Sequence, residues 1–387
     1  MTDTPMITWR EADADQSARW HAESGSPAPR RVVIADDRMT ADVAYRLACE
    51  GTGLLWRGDY QNARQLLQAM ARRADEKPRK QKTPPADAAT AFHLHRQAQS
   101  QRSRTLNMLL LPFNSDHSIP LRRAPDTRTA CSEALGTVTE GYIASLRGLL
   151  GIIGAHEWRK NGVQIPALNA PIHPHYGVFA PVRGEYVALV NETPLPERCL
   201  TDSVAFDIGT GTGVLAAVLA GRGIKQIIAT DQDSRALTCA RENIDRLKLS
   251  AQIEIVQADL FPQGQAALIV CNPPWVPARP SSPLEYAVYD PDSRMLKGFL
   301  DGLAAHLTTG GEGWLILSDL AEHLGLRTRE QLLAMIEAAG LTVAGKTDVK
   351  PHHAKVFDTT DPLHAARAAE LTSLWRLTAA TGGKDPH

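Results

Sequence analysis

The chain has few cysteines, and they show no pairing pattern. Its five cysteines are scattered over 387 residues, and no two of them form a C-x-x-C pair. Clustered cysteines at short spacing are typical of disulfide frameworks and of structural zinc sites. Their absence argues against both classes and favours a reducing cytoplasm.

The chain also lacks a long hydrophobic run and a large net charge. No stretch approaches the ~18 apolar residues that a membrane span requires, and residues 1–10 contain no apolar signal region. The net charge of -1 excludes a wholly basic nucleic-acid coat protein. Hydrophobic residues make up 43% and charged residues 22% of the chain, as in an ordinary globular protein. We therefore expect a soluble, cytoplasmic protein without a membrane partner.

Changes in composition along the chain predict three segments. Residues 1–30 are polar and rich in Pro, Ser and Ala, which predicts a flexible lead-in. Residues 31–170 begin with a short β-type run followed by helical patterning, which predicts a separate α+β domain. Residues 171–387 alternate short apolar runs with helical stretches, which predicts one large α/β domain.

The most basic window of the chain is residues 71–104, which hold nine Lys and Arg against three Asp and Glu. Its centre lacks apolar periodicity and predicts a loop. Two interpretations stay open: a phosphate-contacting surface that binds RNA, or a solvated loop, because aromatic residues are sparse there. The nine cations are Arg72, Arg73, Lys77, Arg79, Lys80, Lys82, Arg96, Arg102 and Arg104.

Seven apolar runs predict a Rossmann-like sheet of seven strands with crossover helices in the carboxyl-terminal part. A capping-box spacing from Thr328 to Gln331 predicts that a helix begins there. The runs are 204–206, 227–230, 253–256, 268–270, 313–317, 341–343 and 374–377.

A glycine-rich loop follows the first of these runs in the segment FDIGTGTGV. Glycines allow a sharp turn from strand to helix and a close approach of backbone to ligand, and the helix amino terminus supplies N–H donors. The spacing is not that of a dinucleotide-binding loop, because Val214 stands where the third glycine of G-x-G-x-x-G belongs. The alternative is a merely tight turn. The candidate binding residues are Asp207, Gly209, Thr210, Gly211 and Gly213.

Acidic residues follow the second and third runs. Asp231, followed by Gln232, is placed to accept both hydroxyls of a ribose. Its alternative role is a helix cap, although Asp233 is better placed to cap the helix that begins near residue 234. After the third run, Asp259 is a candidate acceptor for an adenine amine, with Leu260 or Phe261 flanking the ring. The alternative for Asp259 is an ordinary loop aspartate.

The fourth run stops at Asn272-Pro273-Pro274-Trp275. Consecutive prolines donate no N–H and fix φ, so the strand cannot continue in a ladder. The alternative to a functional motif is a rigid turn with a core tryptophan. Ligands of open α/β sheets bind at the carboxyl ends of the strands, so all four strand ends are expected to converge on one cleft.

With these four features, residues 176–345 resemble the class I S-adenosylmethionine-dependent methyltransferases. The sequence NPPW is similar to the Asn-Pro-Pro-aromatic signature of enzymes that methylate a nitrogen on a planar group, such as the protein glutamine N5-methyltransferases and the N6-adenine methyltransferases. Segments 176–190 and 288–303 also resemble the glutamine group. Trp275 departs from the Tyr usual there, and the amino-terminal half does not resemble that group's small helical domain.

The resemblance implies S-adenosylmethionine as cofactor, a seven-stranded methyltransferase sheet, and a macromolecular acceptor: a ribosomal or translation protein, or RNA. Asn272 and Pro273 would accept the hydrogens of the acceptor nitrogen, and Trp275 would stack on the planar group. Methylation of a small molecule and a non-catalytic scaffold remain alternatives. No metal site is expected, because the paired histidines such as His173 and His175 lack partners at ligand spacing. The implied cofactor residues are Asp207, Gly209, Thr210, Gly211, Gly213, Asp231, Gln232, Asp259, Leu260 and Asn272, and the implied catalytic residues are Asn272, Pro273, Pro274 and Trp275.

Overall fold

The computed structural model describes residues 5–23, 25–76, 85–280, 283–351 and 358–380. The chain divides into two compact units. The first comprises residues 1–85, 93–157 and 281–283, and the second comprises 86–92, 158–280 and 284–387. The main division, between residues 157 and 158, precedes the boundary expected after residue 170.

Within the described residues up to 161, the chain forms six strands and five helices. The strands are β1 (Met6–Glu11), β2 (Ala14–Trp20), β3 (Arg31–Ala35), β4 (Thr52–Trp56), β5 (Leu109–Phe113) and β6 (Tyr142–Ser145). The helices are α1 (Ala41–Cys49), α2 (Tyr60–Asp75), α3 (Ala88–Leu106), α4 (Arg128–Leu135) and α5 (Leu146–Asn161).

The six strands form one sheet in the order β1-β2-β6-β5-β4-β3. Strands β3, β4 and β5 are parallel, and β6 runs antiparallel to β5. Helix α1 connects β3 to β4, and helices α2 and α3 connect β4 to β5. The expected α+β segment therefore contains a parallel β-α-β-α-β portion. The sequence did not predict β4, whose five residues are all buried.

The expected flexible lead-in over residues 1–30 must be corrected. Strands β1 and β2 form an antiparallel hairpin there, and β2 also pairs with β6. Ile7 and Trp20 are buried and pack with Val32, Leu55 and Ile143. The hairpin escaped prediction because its remaining side chains are mostly exposed and polar, so the two strands carry few apolar positions.

The expected basic loop over residues 71–104 is also corrected. Helix α2 continues to Asp75, and α3 occupies residues 88–106. Ala, Gln and Arg are strong helix formers, and they hold α3 in a helix although its apolar face is weak. The predicted loop cations Lys77, Arg79, Lys80 and Lys82 lie outside the described residues.

The second unit contains nine strands and seven helices within the described residues. The strands are β7 (Val163–Ile165), β8 (Ala170–Ile172), β9 (Val204–Ile208), β10 (Gln226–Asp231), β11 (Ile253–Gln257), β12 (Ala266–Cys271), β13 (Leu307–Ser318), β14 (Leu341–Val349) and β15 (Thr372–Ala379). The helices are α6 (Glu185–Glu192), α7 (Val214–Gly221), α8 (Ser234–Arg246), α9 (Arg294–His306), α10 (Leu320–His323), α11 (Arg329–Ala338) and α12 (His364–Ala369).

Seven of these strands form a sheet in the order β11-β10-β9-β12-β13-β15-β14. The five strands from β11 to β13 are parallel, and β15 is antiparallel to both of its neighbours. The strand order reverses between β9 and β12. In such sheets this switch point opens a crevice at the carboxyl ends of the two strands.

Both faces of this sheet are covered by apolar side chains. Ala205, Leu268 and Val270 lie in one buried cluster, and Phe206 and Ile269 lie in another. Burial on both faces explains why these strands appear in the sequence as continuous apolar runs. Within the described parts of the chain, no helix is long and apolar enough to cross a membrane.

Candidate functional site at the sheet switch point

Three neighbouring strands place the candidate residues at one sheet edge. Strand β9 pairs in parallel with β10 on one side and with β12 on the other. The glycine loop follows β9, Asp231 ends β10, and Asn272 follows β12. The carboxyl ends of these strands are therefore side by side at the switch point.

The glycine loop is a left-handed turn at three positions. Gly209, Gly211 and Gly213 have φ values of +70°, +55° and +81°, which other residues rarely adopt. A Cβ on Gly209 would lie 2.5 Å from Met295 Cε, whereas a Cβ on Gly211 would meet no atom of the described chain within 4 Å. The loop therefore packs against the Met295 side chain at Gly209, whereas no described residue fills the space beside Gly211.

Asp207 holds the loop from inside the protein. Its side chain is buried, and its Oδ2 accepts hydrogen bonds from Thr210 Oγ1 at 2.6 Å and Ala216 N at 3.1 Å. The Thr210 backbone N–H also donates to Thr230 O at 2.8 Å. The sequence suggested that Asp207 and Thr210 bind a cofactor directly. In the structure both side chains help to fix the loop through these hydrogen bonds, and their contact with a cofactor stays a prediction.

Burial raises the pKa of the Asp207 carboxyl to about 6, although Thr210 and the N–H of Ala216 favour its charged form. The folded protein then binds this proton more tightly than the unfolded chain does, where an aspartate has a pKa of about 3.9. The protonated Asp207 carboxyl therefore contributes its full stabilisation of the folded protein below about pH 4. This stabilisation is lost as the pH rises through about 6.

For Asp207→Asn, which does not titrate, we expect a stability difference from the wild type that depends on pH. Between pH 4 and pH 7 the wild type should lose about 2 to 3 kcal/mol relative to the variant, since one pKa unit corresponds to about 1.4 kcal/mol. Urea unfolding of both proteins at the two pH values measures this difference. A difference that does not change with pH would contradict the assignment.

Asp231 presents a fixed carboxylate beside the loop. Its Oδ2 accepts from Gly211 N, and its Oδ1 accepts from Asp233 N, both at 3.0 Å. Burial raises its pKa. Asp233 is the N-cap of α8 and accepts from Arg235 N, so Asp231 is not needed as a cap, as the sequence predicted. Gln232, the next residue, is exposed.

Asn243 supports the loop and was not found from the sequence. Its buried carboxamide donates to Thr212 O at 3.1 Å and to His173 O at 3.2 Å, and it accepts from His173 N at 2.8 Å. It therefore ties the glycine loop to the segment that follows β8. Asparagine in the middle of a helix carries no signal of such a role, because its partners lie far away in sequence.

The segment after β11 has an exposed acid and a strained backbone. Asp259 is exposed, and its Oδ2 accepts from Arg294 Nη2 at 2.8 Å. Leu260 has φ +79°, and its carbonyl accepts from Thr230 Oγ1. A leucine in this region of φ is strained, and such strain concentrates at functional sites. Phe261 stacks on Phe299, with ring centroids 5.9 Å apart.

The Asn272-Pro273-Pro274-Trp275 turn follows β12 directly. The Trp275 indole Nε1 donates to Asn272 Oδ1 at 2.8 Å. One face of the indole is covered by Arg183, whose guanidinium carbon lies 4.8 Å from the ring centroid. Trp275 is half-buried and contacts three apolar clusters of the second unit. The indole thus orients the carboxamide beside it, a contact that the sequence did not predict.

Asp290 fixes the segment that returns after this turn. Its backbone N–H donates to Val276 O at 2.9 Å, and its carboxylate accepts from the N–H groups of Met295 and Leu296. The side chain is 5% exposed. Asp290 therefore joins the NPPW turn to the start of α9, whose Met295 side chain packs against Gly209.

Among the residues that the structure describes, no group of three or more His, Cys, Asp or Glu could hold a metal ion. His173 and His175 make hydrogen bonds to Arg159 O and Glu242 Oε2. His352 and His353, a further histidine pair of the sequence, lie outside the described residues.

Part of the second unit matches a known protein family. Residues 170–329 match the methyltransferase small domain family. This match begins at the first residue of β8 and ends at the first residue of α11, so it contains the glycine loop, Asp231, Asp259 and the NPPW turn.

Curated relatives match the same region. The chain is 28% identical over 208 residues to a release factor glutamine methyltransferase from Gloeobacter violaceus, covering 52% of this chain and 66% of that one. It is 31% identical over 163 residues to the enzyme of that name from Cereibacter sphaeroides, covering 38% and 56%. It is 41% identical over 80 residues to a ribosomal protein L11 methyltransferase from Desulfitobacterium hafniense, covering 20% and 25%. The chain thus spans less than two thirds of each relative.

Proposed function

We propose that residues 170–329, which match the methyltransferase small domain family, form a class I S-adenosylmethionine-dependent methyltransferase domain, and that the protein methylates the side-chain amide nitrogen of a glutamine in another protein. S-adenosylmethionine is the cofactor of this domain. The observation that carries the proposal is the position of Asn272 and Trp275 at the carboxyl end of β12, next to the glycine loop of β9.

The residues at the switch point fit the cofactor. We propose that Asp231 accepts the ribose hydroxyls, because its carboxylate is fixed by two backbone N–H groups. The open space at Gly211 leaves room for close approach of the cofactor to the backbone. Asp259 and the strained Leu260 would meet the adenine, with Gln232 at the rim. Asp207 and Thr210 act by holding the loop.

The NPPW turn suits a planar amide acceptor. An amide nitrogen is a poor nucleophile because its lone pair is delocalised into the carbonyl. We propose that Asn272 Oδ1 and the Pro273 carbonyl accept hydrogen bonds from its two N–H groups, which localises the lone pair and directs it to the methyl group. When the nitrogen gains the methyl group, one of these two hydrogens leaves as a proton to solvent, so the product amide is neutral. When bound, the cofactor supplies an activated methyl on a sulfonium. Positioning of this kind can lower a barrier by up to ~7 to 11 kcal/mol. Pro274 fixes the turn that presents both acceptors.

A protein acceptor is favoured over RNA by the basic window of the first unit. Arg73 pairs with Asp42, and Arg102 makes two hydrogen bonds to Asp75 at 2.7 and 2.9 Å. These guanidinium groups are neutralised within the unit, so the described window offers phosphates less charge than its composition suggests. We propose that the first unit, with its own sheet, selects the protein acceptor. The relatives named for release factors and protein L11 point in the same direction.

Transfer of tritium from methyl-labelled S-adenosylmethionine tests the proposal. The purified full chain is incubated with a bacterial release factor, with ribosomal protein L11, and with total RNA. We expect label on a protein that protease removes and ribonuclease does not. If ribonuclease removes the label instead, the methyl acceptor is a nucleobase amine and not a glutamine. If neither protein nor RNA is labelled, the result contradicts a macromolecular acceptor.

A further inference from the structure

Arg183 is held in place on the face of Trp275 by two carboxylates. Its Nε donates to Glu185 Oε1 at 2.7 Å, and its Nη2 donates to Glu370 Oε1 at 3.1 Å. The Arg183 side chain is 20% exposed, and that of Glu370 is fully buried. A guanidinium that is bound at two edges has a fixed plane, and a fixed plane suits stacking on an indole.

Glu370 ties this arrangement to the sheet. Its Oε1 also accepts from Ser318 Oγ at 2.7 Å, at the carboxyl end of β13, which is the neighbour of β12. Its Oε2 is buried and has no hydrogen-bond partner among the residues that the structure describes. A buried carboxylate that lost Arg183 would be left with an uncompensated charge, so the pair is strongly held together.

The contacts continue from Trp275 to the carboxamide of Asn272. The indole lies under the Arg183 guanidinium, and its Nε1–H donates to Asn272 Oδ1. This hydrogen bond uses one of the two lone pairs of Oδ1 and fixes which carboxamide atom is the oxygen. A continuous series of contacts therefore joins buried Glu370 to the oxygen that the proposed chemistry requires.

We propose that Arg183 is a positioning residue for methyl transfer. It holds the Trp275 indole in the orientation in which Nε1–H donates to Asn272, so that the remaining lone pair of Oδ1 keeps a fixed direction. Arg183 acts through Trp275 and does not touch the reacting atoms. The inference rests on the proposed function, since it gives the acceptor oxygen its orientation.

Arg183→Lys tests the role while keeping the positive charge beside Glu370. Lysine has neither the planar stacking surface nor the two-edged donor geometry of arginine. With release factor as acceptor, we expect kcat to fall by roughly 10- to 100-fold, because small misplacements in an active site have effects of this size. The KM for S-adenosylmethionine should stay within about twofold, since the cofactor residues are untouched. Arg329→Lys is the matched control, because Arg329 also pairs with a glutamate and lies over Trp375 at 5.3 Å; it should leave kcat unchanged.

A double variant separates positioning from folding. If Arg183 acts through the indole, the double variant Arg183→Lys/Trp275→Leu should have the same kcat as Trp275→Leu alone. Additive losses would overturn the proposal, as would an unchanged kcat in Arg183→Lys. A higher kcat would overturn it as well, because the Arg183 guanidinium would then hinder access of the acceptor to the Trp275 ring.

An NMR measurement tests the contact without any acceptor. The indole Nε1–H resonance of Trp275 in the full ¹⁵N-labelled chain is identified by its loss in Trp275→Leu. We expect it to shift in Arg183→Lys and to stay in place in Arg329→Lys. If the release factor is not methylated but this shift is seen, the proposed function fails and the positioning contact stands; an unshifted resonance overturns the positioning role itself.

Discussion

Replacement of Asn272 by alanine is expected to lower the rate of methyl transfer by ~10²- to 10³-fold or more, the size of effect seen when one group that stabilises a transition state is removed. The variant loses the oxygen that accepts a hydrogen of the acceptor nitrogen and also the partner of the Trp275 indole. Binding of S-adenosylmethionine should change by less than about threefold, because the proposed ribose contact ends β10 and the proposed adenine contact follows β11. Single-turnover transfer to release factor and calorimetric titration of the cofactor measure the two quantities.

Asn272→Asp is the matched variant for this prediction. It keeps an acceptor oxygen at the same position and a partner for the indole N–H, so its loss of rate should be smaller than that of Asn272→Ala. An alanine variant with normal turnover would remove Asn272 from the chemistry. If the alanine variant does not bind the cofactor at all, the main role of Asn272 is to bind the cofactor and not to act in the transfer step.

Replacement of Asp231 by alanine is expected to weaken binding of S-adenosylmethionine by ~10²-fold or more, since hydrogen bonds to a charged acceptor contribute about 1.5 to 3 kcal/mol each. The variant loses both proposed ribose contacts and frees the Gly211 N–H, which donates to Asp231 Oδ2 in the structure. The loop then loses its support on the side that faces the cofactor. Isothermal titration of the full chain gives the dissociation constant directly.

Asp233→Ala is the control for Asp231, because it removes a neighbouring carboxylate of the same segment. Asp233 caps α8, so its loss should cost about 1 kcal/mol of stability. The affinity for S-adenosylmethionine should nevertheless stay within about threefold of the wild type. If both variants weakened binding equally, the effect would be one of local folding, and undiminished binding in Asp231→Ala would contradict the site.

The sequence predicted the second unit better than the first for a physical reason. Each of the seven predicted runs lies in a strand of the seven-stranded sheet. Central strands such as β12, whose residues are all buried, are continuous apolar runs because both of their faces are covered. The capping box at Thr328 is present as predicted. In the first unit, β1 and β2 expose most of their side chains, and α3 has a weak apolar face, so neither gave a periodic signal.

The candidate site divides in the same way. Residues that follow strands directly, such as Asp231 and Asn272, could be found from the sequence because topology alone brings strand ends together. Arg183 and Glu370 could not, since they are 187 positions apart and meet only in the folded chain. The hydrogen bond between Thr210 and buried Asp207, by which both also fix the loop, became visible only in three dimensions.

The central claim is that the cleft at the end of β12 transfers a methyl group to the nitrogen of a planar side-chain amide. Mass spectrometry of release factor incubated with the full chain and S-adenosylmethionine carrying a deuterated methyl group tests it most directly. We predict the deuterated methyl on the side-chain nitrogen of a glutamine with wild-type enzyme, and its near absence with Asn272→Ala. A methyl on oxygen or carbon, or equal labelling by both proteins, would contradict the account.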